Sequence, residues 1–283
     1  MTLIAGRFSR PVRSVTIRPA SGLEGLDLQE LWRTRELLQV LVTRELKVRY
    51  KQAAIGVGWA LIQPVLAVAI FTVIFGHFAK MPSDGVPYVI FAFTAVLPWT
   101  YFAEAVRRSS TGLVSDSELI RKVYFPRLVL PLAMVVTPLV DFALGFLLLL
   151  ALFAWFGVGL TPNIIFLPLF LLIAVALALS VGLWLGPISV RYRDVMHALP
   201  FMIQVWLYAS PVAYPITIVP EEWRLLYSLN PMVGVIEGFR WVLLSSGHPD
   251  LRAIAISCIF IVVSLTGGLI YFRRMERSFA DVI

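Results

Sequence analysis

Charge is scarce in this sequence. Of its 283 residues, 14% are Asp, Glu, Lys or Arg, while 59% are apolar; a soluble domain carries about a quarter charged residues. Mean hydropathy is +0.84. These values exclude a soluble enzyme and a nucleic-acid-binding domain. Cysteine is almost missing: Cys258 stands alone in an apolar run and can form no intrachain disulfide, which excludes a disulfide scaffold. The three histidines, His77, His197 and His248, lie far apart near the ends of apolar runs and read as interfacial residues rather than metal ligands. No G-x-x-x-x-G-K-[ST] loop is present to cradle a nucleotide phosphate, and no H-E-x-x-H or G-x-S-x-G motif occurs. No local motif suggests catalysis.

Long apolar runs are abundant. About 20 apolar residues suffice to cross a bilayer as a helix, and six runs qualify: Val57–Ala79, Tyr88–Val106, Val129–Phe156, Ile164–Val190, Val195–Val219 and Ala253–Phe272. The expected fold is therefore all-α and polytopic, with six transmembrane helices over residues 57–283. Pro64, Pro98, Pro138, Pro168, Pro200 and Pro211 lie inside these runs and predict kinks. Residues 1–26 are polar and carry four Arg before the first acid, Glu24; a flexible tail and an Arg-rich transit peptide both fit. Residues 27–56 read as an amphipathic helix lying in the membrane interface. Asp27 and Glu30 form a capping box, Leu28, Leu31, Leu38, Val42 and Leu46 make the apolar stripe, and Arg33, Arg44, Lys47 and Arg49 fall mostly off it.

Residues 220–249 are too short for two crossings and carry Glu221, Glu222, Arg224, Glu237 and Arg240. Asn230 followed by Pro231 is a good N-cap and first-turn pair, and Gly247 a good stop. The expectation is two short helices that enter the bilayer from one face and return. Counting Lys and Arg sets orientation: twenty lie in the N-terminal region, the loop 107–128, the loop 191–194 and the C-terminal tail, against Lys80, Arg224, Arg240 and Arg252 opposite. The positive-inside rule then puts both termini in the cytoplasm and the helix pair on the outer face.

Two acids sit within the runs. Glu104 has Arg108 four residues on, an i,i+4 pair in which both can snorkel. Asp141 lies 12 residues into the third run, about 18 Å along a helix and so near mid-membrane; it is either a functional acid or a structural hydrogen-bonding group. Trp59, Phe71, Phe75, Trp99, Tyr101, Phe102, Trp206, Tyr208 and Tyr214 make the first, second and fifth runs rich in aromatics. Belts and packing explain some; others could stack on sugar rings in a conduit.

Five segments, in order, carry a resemblance to a known family: RELKVRYKQAAIGVGWALIQP at 44–64, SELIRKVYFPR at 117–127, VRYRDV at 190–195, WLYASPVAYP at 206–215 and NPMVGVIEGFR at 230–240. From about Leu31 onward the chain resembles the membrane subunit of type-2 ABC exporters for lipid-linked polysaccharide such as O-antigen, capsule or teichoic acid. The resemblance implies a homodimer in the bacterial inner membrane joined to two copies of a separate ATPase. That ATPase would bind ATP and Mg, leaving this chain without a cofactor or catalytic residue. It further implies a polyprenyl-diphosphate-linked glycan as substrate, most simply of O-antigen type, membrane lipids as surroundings, and no nucleic acid.

The resemblance also implies a conduit between protomers formed by the first and fifth spans, with Trp59, Gln63, Phe71, Trp206, Tyr208 and Tyr214 as candidate lining. Trp59 and Gln63 are four apart and share a helix face. The outer gate would include Asn230, Pro231, Glu237 and Arg240. The loop 115–124 is expected to be the coupling helix, capped by Ser115 or Ser117, with Asp116 and Glu118 at its N-terminus, Leu119 within it, and Arg121 and Lys122 at its C-terminus. Arg191, Arg193 and Asp194 form a second cytoplasmic turn, either anchoring at headgroups or making a fixed Arg–Asp contact for force transfer. The rival readings are an intramembrane transferase acting on polyprenyl-phosphate-linked sugars, which needs an acid cluster, and an ion-coupled transporter, which needs inverted repeats and paired intramembrane charges. Neither signature is seen.

Overall fold

The computed structural model describes residues 34–51, 56, 58–123, 125–244, 251–276 and 279. The tail 1–26, the Asp27–Glu30 capping box and the stop at Gly247 lie outside them. Every regular element among the described residues is helical.

Helix α1 (Arg35–Lys51) contains neither Gly nor Pro, carries Glu36 in its first turn and ends on Arg49 and Lys51, charges that complement the helix dipole. Its packed face begins with Leu37, Leu38, Leu41 and Val42. Glu45, Leu46, Arg49 and Tyr50 continue that face, less exposed than Lys47 and Val48 beside them. Arg49 is therefore on the packed stripe, contrary to expectation: it falls seven residues, two helical turns, after Val42.

Helix α2 (Gly58–Phe71) continues as a π-helical segment, Thr72–Phe78. Helix α3 (Tyr88–Ser115) is the centre of the molecule. From Tyr88 to Ala103 it is apolar all round, as a helix segment packed on every side must be, and 18 of its 28 residues are buried. It packs against α2, α5 (Val129–Val136), α6 (Leu139–Phe156), α7 (Leu167–Arg191), α8 (Asp194–Tyr208) and α10 (Pro231–Leu244). At its C-terminal end, the short helix α4 (Ser117–Lys122) follows directly. The α3–α7 contact is close because Gly182 has no side chain: a Cβ there would meet Ser109 Oγ at 2.1 Å. Small residues at helix crossings do this in membranes generally.

The third run is interrupted at Thr137–Pro138, between α5 and α6. Pro138 has no N–H to continue the ladder, and the Tyr101 hydroxyl donates to the Val135 carbonyl there at 3.2 Å. Asp141 thus sits in the first turn of α6 rather than within an unbroken helix. Helix α6 ends at Gly157, whose φ of 67° is the left-handed conformation that favours glycine. Of the other prolines, Pro64, Pro98 and Pro200 lie inside helices, Pro168 falls in the first turn of α7, and Pro211 lies just beyond α8.

Among the described residues, five helical stretches are long and apolar enough to cross a membrane: Gly58–Phe78, Tyr88–Ser115, Val129–Phe156, Pro162–Arg191 and Leu251–Glu276. The sixth expected one, Val195–Val219, is not a continuous helix. Its helix α8 has 15 residues, about 22 Å at 1.5 Å per residue, against a hydrocarbon core of about 30 Å. It ends at Tyr208 because Pro211 disfavours the α conformation at Ser210 and Pro215 interrupts again. Two short helices follow, α9 (Glu221–Tyr227) and α10, meeting at Asn230–Pro231 as expected. Helix α11 (Leu251–Glu276) closes the fold against α7 and α10.

Candidate functional site

Three neighbourhoods hold the candidate residues. The first joins α1 and α4 to the spans. Helix α4 keeps Ile120 buried in an apolar cluster with Leu41 of α1, Leu113 of α3 and Val129, Leu130, Ala133 and Met134 of α5. Neither Ser115 nor Ser117 caps it: Ser115 Oγ donates back to the Thr111 carbonyl at 3.2 Å, and Asp116 occupies the N-cap position. The buried Asp116 carboxylate accepts from the Arg44 guanidinium of α1. That hydrogen bond raises the Arg44 pKa above its ordinary value despite a loss of hydration. Glu118 and Lys122 form an exposed i,i+4 pair, and Arg121 is exposed beside them, while Leu119 is partly buried.

One helical turn along, α1 enters a charged network. Arg108 donates to Glu104 at 2.7 Å and contacts Glu45 of α1 at 3.3 Å; Arg107 also donates to Glu104 at 2.8 Å. Glu104 and Arg108 therefore form their expected pair. Asp141 accepts from Arg49 and from the Tyr50 hydroxyl, and Arg49 lies 3.8 Å from Glu104. Burial, followed by the bond to Asp141, pushes the Tyr50 hydroxyl up to about 12.

The second neighbourhood is the irregular turn after α8. Asn230 Oδ1 accepts from the Met232 N–H at 3.0 Å and so caps α10, with Pro231 at the first helical position. The same oxygen accepts from Trp206 Nε1 at 2.8 Å, while Asn230 Nδ2 donates to the Ala209 carbonyl and Ser210 Oγ, both at 2.9 Å. Arg240, 2% exposed, pairs with Glu237 at 2.9 Å and donates to the Val212 and Tyr214 carbonyls, both at 3.2 Å. Tyr88 of α3 donates to the Ala213 carbonyl at 2.5 Å. The Tyr214 hydroxyl donates to the Tyr208 carbonyl at 3.1 Å and lies 2.9 Å from the Tyr227 hydroxyl.

The third is the outer side of α2 and α8. Trp59 is 49% exposed, and the bare face it shares with Gln63 continues through Leu66 and Ile70. Phe71 of α2 and Phe75 of the π-helical segment, with Leu207, Tyr208, Ser210, Val212, Ala213 and Tyr214, bound a small, mostly apolar cleft. Tyr208 is 62% exposed. Trp206 points elsewhere: its ring packs edge-on against Phe102 at 5.0 Å. Two residues apart on a helix cannot share a face, so α8 directs Trp206 inward and Tyr208 outward. Arg191, Arg193 and Asp194 are all exposed, and among the described residues the expected Arg–Asp contact is not made. Neighbours in a helix diverge, and Arg191 instead lies over the adjacent Tyr192 ring at 5.4 Å.

Sequence reasoning missed Ile120, Tyr50 and Tyr88. Ile120 was legible as the apolar residue of SELIRK opposite its charges; the partners of Tyr50 and Tyr88 lie 91 and 125 residues away and carry no local signal.

Fold and composition define a multi-pass helical membrane protein in which helix α1 is tied to the spans by ion pairs. The chain belongs to the ABC-2 type transporter family, which it matches over residues 36–244. It is 30% identical over 258 residues to the O-antigen export system permease protein RfbA of Myxococcus xanthus, covering 90% of this chain and 98% of that one. It is 25% identical to the protein of the same name from Klebsiella pneumoniae, over 88% of this chain and 95% of that one. The polysialic acid transport protein KpsM of Escherichia coli is 22% identical over 85% of this chain and 94% of its own length.

Proposed function

We propose that this chain is the membrane subunit of an ATP-driven exporter that moves a lipid-linked polysaccharide of O-antigen type from the cytoplasmic to the outer face of the bacterial inner membrane. Its near end-to-end match to proteins named as O-antigen export permeases carries this reading, and nothing comparable favours a transferase. Two copies would pair, each working with a separate ATPase subunit that binds ATP and Mg. The glycan would travel on a polyprenyl diphosphate.

The sixth crossing in this reading is α8 completed by the segment Ala209–Val219. Irregular backbone is tolerated at membrane depth only where protein buries it and satisfies its polar groups. The carbonyls of Ala209, Val212, Ala213 and Tyr214 are taken by Asn230, Arg240 and Tyr88, which supports such a crossing. The pair α9–α10 would then be re-entrant from the outer face, and the Lys and Arg distribution puts both termini in the cytoplasm. Helix α4 would meet the ATPase through Glu118, Arg121 and Lys122. The bare faces of α2 and α8 would face the second copy, with Trp59, Gln63, Phe71, Tyr208 and Tyr214 along the conduit. Such a lining has aromatic faces and few fixed charges, so each sugar contact is weak enough to release as the next forms; stacking on a nucleobase is worth about 1–3 kcal/mol.

The test is deletion in the native host, with surface glycan and internal lipid-linked glycan both measured. Loss at the surface, accumulation inside, restoration by this chain and co-purification of an ATPase are expected. Unchanged surface glycan, or lipid-linked glycan that is no longer made at all, overturns the reading.

A further inference from the structure

Helix α1 spans the interruption at Thr137–Pro138 and holds its two sides by different means. On one side its leucines share an apolar cluster with α5 and with Ile120 of α4, and Arg44 holds Asp116. On the other side, the attachment to α6 is the carboxylate of Asp141, held by Arg49 and Tyr50. The surrounding network is balanced: Arg49, Arg107 and Arg108 face Glu45, Glu104 and Asp141. Among the described residues each cation of the network faces a carboxylate, which suits holding helices in place rather than binding an anionic ligand. It is also unevenly shared. Three arginines surround Glu104 on α3, whereas Arg49 is the one cation paired with Asp141 among the described residues.

We propose that Asp141 is a positioning residue: it splints α1 across the break in the third span, so that movement of α4, α1 and α5 is delivered to α6. This rests on the exporter reading above for what drives the movement. Without the carboxylate, Arg49 falls back on Glu104, and α1 stays tied to α3 while losing α6. An apolar contact could not do this selectively, because it lacks the directionality of an Arg and Tyr pair converging on one carboxylate.

The test uses the full chain assembled with its ATPase in nanodiscs, in a Cys258→Ser background so that introduced cysteines are the sole labelling sites. Spin labels at the exposed positions Val40 and Leu147 report the α1–α6 distance; labels at Val40 and Ser115 report α1 against the end of α3. Asp141→Asn is expected to broaden the first distribution and leave the second unchanged. The exchange Arg49→Asp with Asp141→Arg is expected to restore the first. In the native host, surface glycan per transporter copy is expected to fall at least about fivefold in Asp141→Asn, the lower end of coupling between sites, with basal ATPase and yield retained, and to recover in the exchange. A wild-type distance distribution or wild-type export in Asp141→Asn overturns the proposal. So does a loss of yield that the exchange does not repair, which would make Asp141 a folding residue. Were the exporter reading wrong, the wild-type host assay would fail, while the distance measurements would still decide the splint.

Discussion

The guanidinium carbon of Arg240 lies 3.9 Å from the centroid of the Phe91 ring. A buried charge is thus stacked on the central helix while its N–H groups reach the carbonyls of a turn on the other side. One side chain joins α3, α10 and the segment after α8.

Arg240→Met should therefore be severely destabilising. It takes the guanidinium from Glu237 and the donors from two carbonyls, and breaking a buried pair costs about 3–5 kcal/mol. Arg240→Lys keeps the charge without the planar fork and should fall between. Thermal unfolding of the purified protein in detergent measures both; a wild-type midpoint for Arg240→Met would refute the role.

Trp206 and Tyr208 should separate cleanly. Trp206→Phe retains the contact with Phe102 but removes one of the two donors to Asn230 Oδ1, the Met232 N–H remaining, costing about 1 kcal/mol, and Trp206→Ala should lower yield and export together. Tyr208→Ala, at an exposed position, should leave yield and basal ATPase intact and lower export. Yield and surface glycan, measured in parallel, distinguish the two patterns.

In α4, Ile120→Ala removes the anchor and should cost about 2–5 kcal/mol, read as loss of co-purified ATPase. Glu118→Ala breaks only an exposed pair worth about 0.3–0.5 kcal/mol. Stability should barely move, while glycan-stimulated ATPase falls. If Glu118→Ala and Leu119→Ala both leave stimulation and export intact, α4 does not couple the subunits.

Gly238 and Gly159 make a matched pair. A Cβ on Gly238 would meet the Phe170 ring at 2.0 Å, whereas Gly159 has open space. Gly238→Ala should abolish folded protein by size-exclusion chromatography, and Gly159→Ala should be indistinguishable from wild type.

Much of the architecture was legible because helix punctuation is local. Tyr88, Val129 and Phe156 mark boundaries where the sequence puts them, and Asn230–Pro231 starts α10. The end of α8 was obscured because Ala209–Val219 is as apolar as a span, although Pro211 and Pro215 mark the break. Arg49 was misplaced because charge was assumed to face outward; its position in the stripe is readable from spacing, but its partner Asp141 lies 92 residues on. The Trp206 and Tyr208 directions follow from their two-residue separation. What Arg240 holds depends on backbone carbonyls, which no residue pattern reveals.

The enclosure of α3 has a mechanical result. A helix packed all round along its apolar length has nowhere to slide or turn without parting from several neighbours at once, so in the exporter proposed above it would act as an axle. Rearrangement would then fall to helices with an exposed flank, α2 and α8 among them, and the proposed route between those two could widen or narrow while the hub stays still.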